Sequence, residues 1–304
     1  MNESIYENYI RHVIREGSLT KAAEKIGISQ PALSSGLSSL EKKLGFRVFD
    51  RTCNPVQLTT EGKIYFNYLK QKNALIANFE TQIKVHQGTR DSRVLIGAPV
   101  VYSDSLVAES VCILLEKHPD YDISIITAPL NRLIELAEDG KLDCFISTRE
   151  DLPQGFVSKK IKQEQLFLCI PRKSKVCKYF EKLTADPLDM AELSRLKDEN
   201  FIFLEKDQPI QIMVGEALSK LSFKLKNHVT VNQVSVAVHL AAKGAGCCFA
   251  SEDALKLSSI REQLVICPLA FIPTRPLFVG YHKDFYQTTA CRKLISILSG
   301  LPED

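Results

Sequence analysis

Gln30, Ser34 and Ser35 are the first residues in this chain whose type and spacing suggest chemistry. They face away from Leu33, Leu37, Leu40 and Leu44, which recur in steps of four, three and four and commit one helix face to a core. Glutamine can pair bidentately with adenine, while a short serine side chain contacts bases or phosphates and lets a backbone sit close in a groove. Ser38, further along the same face, reads as solvated polar surface. An ordinary helical hairpin inside an enzyme would use the same spacing, so this stretch alone leaves both readings open.

The elements that hold these side chains are written just upstream. Ala22 and Ala23 allow close helix approach, Gly27 suits the positive φ of a sharp helix end, Ser29 offers an N-cap, and Pro31 fits a first turn. Tyr6, Ile10, Val13 and Ile14 give an earlier helix its own apolar face, completing a three-helix unit around a helix-turn-helix. After Thr59 a long helix is expected over 60–86. Gly62, Tyr65, Leu69, Lys72, Ile76, Phe79, Ile83 and His86 form a seam of period 3.5, with Lys72 and His86 as exposed ends or register markers. Such a seam calls for a partner, and a twofold dimer through Tyr65, Leu69, Ile76, Phe79 and Ile83 would set two reading helices on pseudo-palindromic half-sites. Packing of this face on its own domain is the alternative. Residues 1–88 hold twelve Lys/Arg against eight Asp/Glu, net +4, and the remainder is net −1, so the basic excess lies in the N-terminal part. The excess is modest, and affinity should rest on two protomers and groove contacts.

Gly17-Ser18-Leu19-Thr20-Lys21-Ala22-Ala23, Ile28-Ser29-Gln30-Pro31-Ala32-Leu33-Ser34, Leu40-Glu41 with Leu44-Gly45, Val48-Phe49-Asp50-Arg51 and Leu58-Thr59-Thr60-Glu61-Gly62 follow one another in order. Together they resemble the N-terminal domain of the LysR-type transcriptional regulators. The resemblance implies a winged helix-turn-helix with wing strands over 46–49 and 56–58, a turn at Cys53-Asn54-Pro55, and Arg51 near the minor groove. DNA contacts are then expected from Lys21, Ser29, Gln30, Pro31, Ser34, Ser35 and Arg51. The chain departs from the family's habit in having Ser35 and Gly36 where long polar residues are common. Its wing tip carries only Arg51, so phosphate contacts fall to helix N-termini, Lys21, Lys42, Lys43, Arg47 and Arg51.

From Arg93 onward short apolar runs alternate with amphipathic helices, which predicts an α/β domain. Strands are expected over 94–98, 123–127, 144–147, 166–170, 201–204, 228–231, 247–250 and 277–282, and helices over 105–117, 131–138, 210–221, 233–243 and 288–299. The family resemblance implies two lobes like those of a periplasmic binding protein. The expected organisation is a DNA-binding domain over 1–59, a linker and dimerisation helix over 60–88, and an effector domain over 92–304. Lobe one would comprise 92–163 and 268–304, and lobe two 164–267. Ligands in such sheets sit beyond the carboxyl ends of the strands. That places the candidate effector residues at Val100, Val101, Tyr102 and Ser103, at Thr127 and Pro129, at Ser147, Thr148 and Arg149, and at Glu205 in lobe two. Hydroxyls and helix N-termini suit a small anion, and Arg149 adds a charge-assisted donor, whereas Asp104 and Glu205 oppose it.

Other chemistries find little support. Nine cysteines, with no signal peptide and no apolar run near about 18 residues, suggest reduced thiols in a cytoplasmic protein without membrane contact. Cys112, Cys144, Cys169 and Cys247 lie in apolar segments and are expected in cores, and Cys247-Cys248 is a poor disulfide. The family includes peroxide sensors with a reactive cysteine pair in lobe two, but 201–221 has no cysteine here. Neither a metal motif nor a nucleophile elbow nor a phosphate loop occurs, so neither metal nor cofactor is expected. The sequence thus predicts a ligand-responsive transcription factor acting as a homodimer or homotetramer on double-stranded DNA, with RNA polymerase a further candidate partner. A cytoplasmic enzyme, or a ligand-binding protein without DNA function, is the alternative.

Overall fold

The computed structural model describes residues 3–184, 186–220, 223–256 and 260–301. The chain divides into two compact units, one up to Thr81 with the stretch 138–140, the other over 82–137 and from Lys141 onward. The first begins with helices α1 (Glu3–Glu16), α2 (Leu19–Ile26) and α3 (Gln30–Leu44). Ser18 caps α2 by accepting the N–H of Lys21, and Gly27, at φ +82°, ends it in the left-handed region open to glycine. Ser29 caps α3 by accepting the N–H of Ala32, with Pro31 in the first turn. Leu33, Leu37 and Leu40 are buried with Tyr6, Ile10, Val13, Ala22 and Ala23. Gly36 costs the helix about 1 kcal/mol relative to alanine. Its use is close approach, since a Cβ there would lie 2.8 Å from the Tyr9 ring of α1.

The wing is smaller than expected. Its strands are β1 (Phe49–Asp50) and β2 (Gln57–Leu58), paired antiparallel. The Val56 N–H goes to the Gly17 carbonyl at 2.9 Å instead of the ladder, and Phe46 lies outside it with its ring at 71° to that of Tyr65. Helix α4 (Thr60–His86) follows, with the Thr59 hydroxyl accepting from the Gly62 N–H at 2.9 Å and donating to the Arg47 carbonyl at 2.6 Å. The opening turns of α4 close the winged-helix core and take Leu69 out of the expected dimer seam. Leu69 is buried in that core, and Tyr65 is half-buried against it. The apolar side chains left exposed on α4 are Ile64, Tyr68, Leu75, Ile76, Phe79 and Ile83.

The second unit holds two five-stranded sheets. The first half of its chain runs β3 (Arg93–Ala98), α5 (Val100–Tyr102), a π-helical turn (Ser103–Val107), α6 (Ala108–Lys117), β4 (Asp122–Thr127), α7 (Leu130–Glu138), β5 (Cys144–Ser147), β6 (Phe156–Glu164) and β7 (Leu166–Pro171). The second half runs α8 (Cys177–Phe180), β8 (Asn200–Leu204), α9 (Pro209–Leu218), β9 (Lys226–Val231), α10 (Val234–Lys243), β10 (Cys247–Ser251), α11 (Glu252–Lys256), β11 (Leu264–Pro268), β12 (Arg275–His282) and α12 (Thr289–Ser299). Sheet one has the order β4-β3-β5-β12-β6 and sheet two β11-β7-β10-β8-β9. In each, one strand, β12 in sheet one and β7 in sheet two, runs antiparallel to the other four. The chain passes from the first sheet to the second through Gln165 alone, and returns between Pro268 and Arg275.

Strands β6 and β11 escaped the sequence reading. Both are edge strands, and Lys159, Lys160 and Lys162 break the apolar alternation of β6. The helix expected from Ser105 already starts at Val100 behind Pro99. The helix expected to reach Leu221 ends at Leu218, and Leu221 lies outside the described residues. Cys144, Cys169 and Cys247 are buried as expected, but Cys112 is exposed on α6, whose apolar run is longer than its buried face.

Two glycines give opposite expectations. A Cβ on Gly62 would stand 2.0 Å from the Val48 carbonyl oxygen, so Gly62→Ala should destabilise the first unit by about 1–3 kcal/mol through overpacking. A Cβ on Gly215 of α9 meets open space, so Gly215→Ala should be neutral or stabilising by up to about 1 kcal/mol. Thermal unfolding followed by circular dichroism checks both signs.

Candidate DNA-reading helix and ligand cleft

The capping geometry that ends α2 and starts α3 leaves Lys21, Ser29, Gln30, Pro31 and Ser35 exposed, with Ser34 half-buried beside them. None is spent on the core that Leu33, Leu37 and Leu40 form on the opposite side. Arg51, just past β1, reaches back to this helix: its Nη1 donates to Ser34 Oγ and its Nη2 to Glu41 Oε2, both at 3.2 Å. Glu41 Oε1 accepts the backbone N–H groups of Val48 and Phe49 at 2.9 and 3.3 Å. One carboxylate thus ties the wing to α3. Glu41 carried no signal in the sequence beyond its place in the Leu40-Glu41 motif.

In the second unit, the parallel strands β3, β4 and β5 end at the loops holding the predicted effector residues. Ser103 is buried, and its hydroxyl donates toward the carbonyls of Ala98 and Pro99 at 3.3 Å. Thr127 Oγ1 donates to Ser103 Oγ at 3.3 Å, joining the ends of β3 and β4. Ser147 is fully buried, its Oγ donating to the Arg149 carbonyl at 2.8 Å and accepting the Arg149 N–H at 3.0 Å, so it shapes the loop after β5. Val100, Thr127, Pro129, Arg149 and Glu205 are exposed, whereas Val101 and Thr148 are half-buried. Arg149 Nη2 donates to Asn131 Oδ1 at 3.4 Å. Across in sheet two, α9 and α10 begin just beyond the ends of β8 and β9, and neither helix has a side-chain cap on its first N–H groups. The π-helical turn at Ser103–Val107 is a distortion of the kind found often at functional sites.

Tyr102 does not line this region. Its side chain is 1% exposed, its hydroxyl donating to Glu164 Oε2 at 2.9 Å and accepting from Arg275 Nη2 at 2.6 Å. Arg275 Nε donates to the same Glu164 oxygen at 2.5 Å. Burial, with Glu164 alongside, pushes the Tyr102 hydroxyl well above its ordinary range. Burial also works against the charge of Arg275, but Tyr102 and Glu164 more than offset it and hold the guanidinium protonated. Glu164 and Arg275 are cross-strand partners at the last position of β6 and the first of β12, where both strands leave sheet one. Two residues earlier, Lys162 Nζ lies 2.7 Å from the buried carboxylate of Asp253 in α11. Helix α11 packs against α5 and the π-helical turn, and Val101 touches the apolar cores of both sheets.

A helix-turn-helix with an unspent polar face, in a chain that also carries a two-sheet α/β domain, is the layout of a DNA-binding regulator with a ligand-binding module. Comparison with known proteins makes the assignment specific. The bacterial regulatory helix-turn-helix protein family of the lysR type matches residues 8–63, and the LysR substrate binding domain matches residues 87–301. The chain belongs to the LysR family of transcriptional regulators, which are not enzymes. A probable RuBisCO transcriptional regulator of Cyanidium caldarium is 23% identical over 96% of this chain and 93% of its own length. Among solved structures, a full-length OxyR variant from Pseudomonas aeruginosa superposes with a TM-score of 0.61 at 19% identity, covering 97% of each chain. Full-length CbnR complexed with its target DNA gives 0.55 at 14% identity, over 98% of this chain and 99% of that one. No helix among the described residues is long and apolar enough to cross a membrane.

Proposed function

We propose that this regulator reads a pseudo-palindromic DNA operator as a dimer, or as a tetramer built from dimers, and that a small anionic effector bound between its two lobes controls it. The observation that carries the DNA reading is the exposed set Gln30, Ser34 and Ser35 on a helix whose other side is locked into the core. Lys21, Ser29 and Pro31 at the helix starts, and Arg51 on the wing, supply the flanking contacts to phosphate and sugar. The CbnR structure, solved with its target DNA, supports this use of the fold. Self-association is supported by the exposed stripe Ile64, Tyr68, Leu75, Ile76, Phe79 and Ile83 on a helix of 27 residues. That stripe is apolar surface on one helix face, which a second copy would cover.

The effector reading rests on the hydroxyls of Ser103 and Thr127, the Arg149 guanidinium, and the open N-termini of α9 and α10. Val100, Val101, Pro129, Thr148 and Glu205 complete the wall, while Tyr102 and Ser147 act from behind it. RNA polymerase contact and a cytoplasmic location belong to the same proposal, supported by the family's role in transcription.

Gln30→Ala should cut discrimination between a duplex selected by the wild-type protein and a random duplex by about 1–3 kcal/mol, with unchanged thermal unfolding. Equal weakening on both duplexes, measured by fluorescence anisotropy, would mean that Gln30 does not read a base. Phe79→Asp should dissociate the dimer by placing an unpaired charge in the stripe. Light scattering decides this, and an unchanged mass at micromolar protein would rule out assembly through α4.

A further inference from the structure

Helix α3 carries one acidic residue, Glu41, on the same side as Ser34, seven positions away. A carboxylate on a face that meets DNA would repel phosphate and cost affinity. Here it is fully engaged. One oxygen takes two backbone N–H groups of the wing and the other takes Arg51. Arg51 spans from that carboxylate to Ser34, so its guanidinium is drawn onto the reading helix with its remaining N–H groups free to face outward. The Glu41 side chain is 13% exposed and that of Arg51 is 33% exposed, which leaves the cation as the solvent-facing member of the pair.

We infer that Glu41 is a positioning residue for DNA reading: it aims the Arg51 guanidinium at a backbone phosphate next to the bases met by α3, and Arg51 in turn orients the Ser34 hydroxyl. Ser34 Oγ spends one lone pair on Arg51, which turns its proton outward toward DNA. Ser34 therefore keeps its proton to donate to a phosphate oxygen or to an acceptor on a base edge. The inference rests on the reading of α3 as the DNA-reading helix.

The charge arithmetic gives the test an unusual sign. Glu41→Gln keeps an oxygen for the wing N–H groups but removes one negative charge and frees Arg51. Affinity for a random duplex should rise two- to fivefold, while discrimination for a duplex selected from a random pool by the wild-type protein falls about tenfold. Arg51→Ala should lower random-duplex affinity about tenfold and reduce the salt slope of log affinity by about 0.9, the loss of one phosphate contact. Adding Glu41→Gln to Arg51→Ala should recover several-fold, because the unmasked carboxylate goes. Arg51→Lys keeps the charge without the fork and should hold the salt slope while losing discrimination. All are measured on the full chain by anisotropy over a salt series, with thermal unfolding alongside.

A Glu41→Gln variant that weakens both duplexes equally and melts earlier would make Glu41 a fold residue only and overturn the proposal. So would an unchanged salt slope in Arg51→Ala. Failure of the wild-type protein to bind any duplex would instead reject the reading of α3, and the proposal with it.

Discussion

The chain crosses twice between the two sheets of the second unit, and a buried charge pair sits where β6 and β12 meet at that crossing. Glu164 is completely buried and Arg275 is 8% exposed, in register with each other at the mouths of β6 and β12. Burying two charges is costly, and their attraction repays it only with good geometry and further hydrogen bonds. Tyr102 supplies such bonds, donating to Glu164 and accepting from Arg275. The cluster therefore joins three segments far apart in sequence: the helical turn after β3 and both crossing strands.

This placement links stability to function. Tyr102 immediately precedes Ser103, whose hydroxyl meets that of Thr127 at the ends of β3 and β4. The crossing-strand cluster thus lies one residue from the proposed effector wall. Lys162 and Asp253 add a second tie, from β6 to the α11 helix that packs on α5. On the proposed reading, an effector that altered lobe closure would act against these ties, and the energy it could transmit is bounded by its differential contacts with the two closures.

The sequence made the first unit legible because its signals are local. Caps at Ser18 and Ser29, the Gly27 turn and the leucine stripe each act within a few residues, and the structure follows them closely. What it hid was tertiary. Of the 3.5-residue seam expected on α4, Leu69 went into the winged-helix core with Tyr65 half-buried against it, a choice that no helical period encodes. Strand β6 was hidden by lysines that sit on a sheet edge, and Glu164 and Arg275 reveal their pairing only once β6 and β12 lie in register. Glu41 likewise gains its role from a wing that folds back across seven residues of chain.

The central claim is that the Glu164–Arg275–Tyr102 cluster holds the crossing strands, and urea denaturation of Arg275→Met tests it most directly. Removing the guanidinium leaves the Glu164 carboxylate buried without its partner, which should cost about 3–5 kcal/mol. Adding Glu164→Gln to the same chain should restore most of that loss, since the uncompensated charge is gone. A single-variant loss below about 1 kcal/mol, or no recovery in the double variant, would contradict the account.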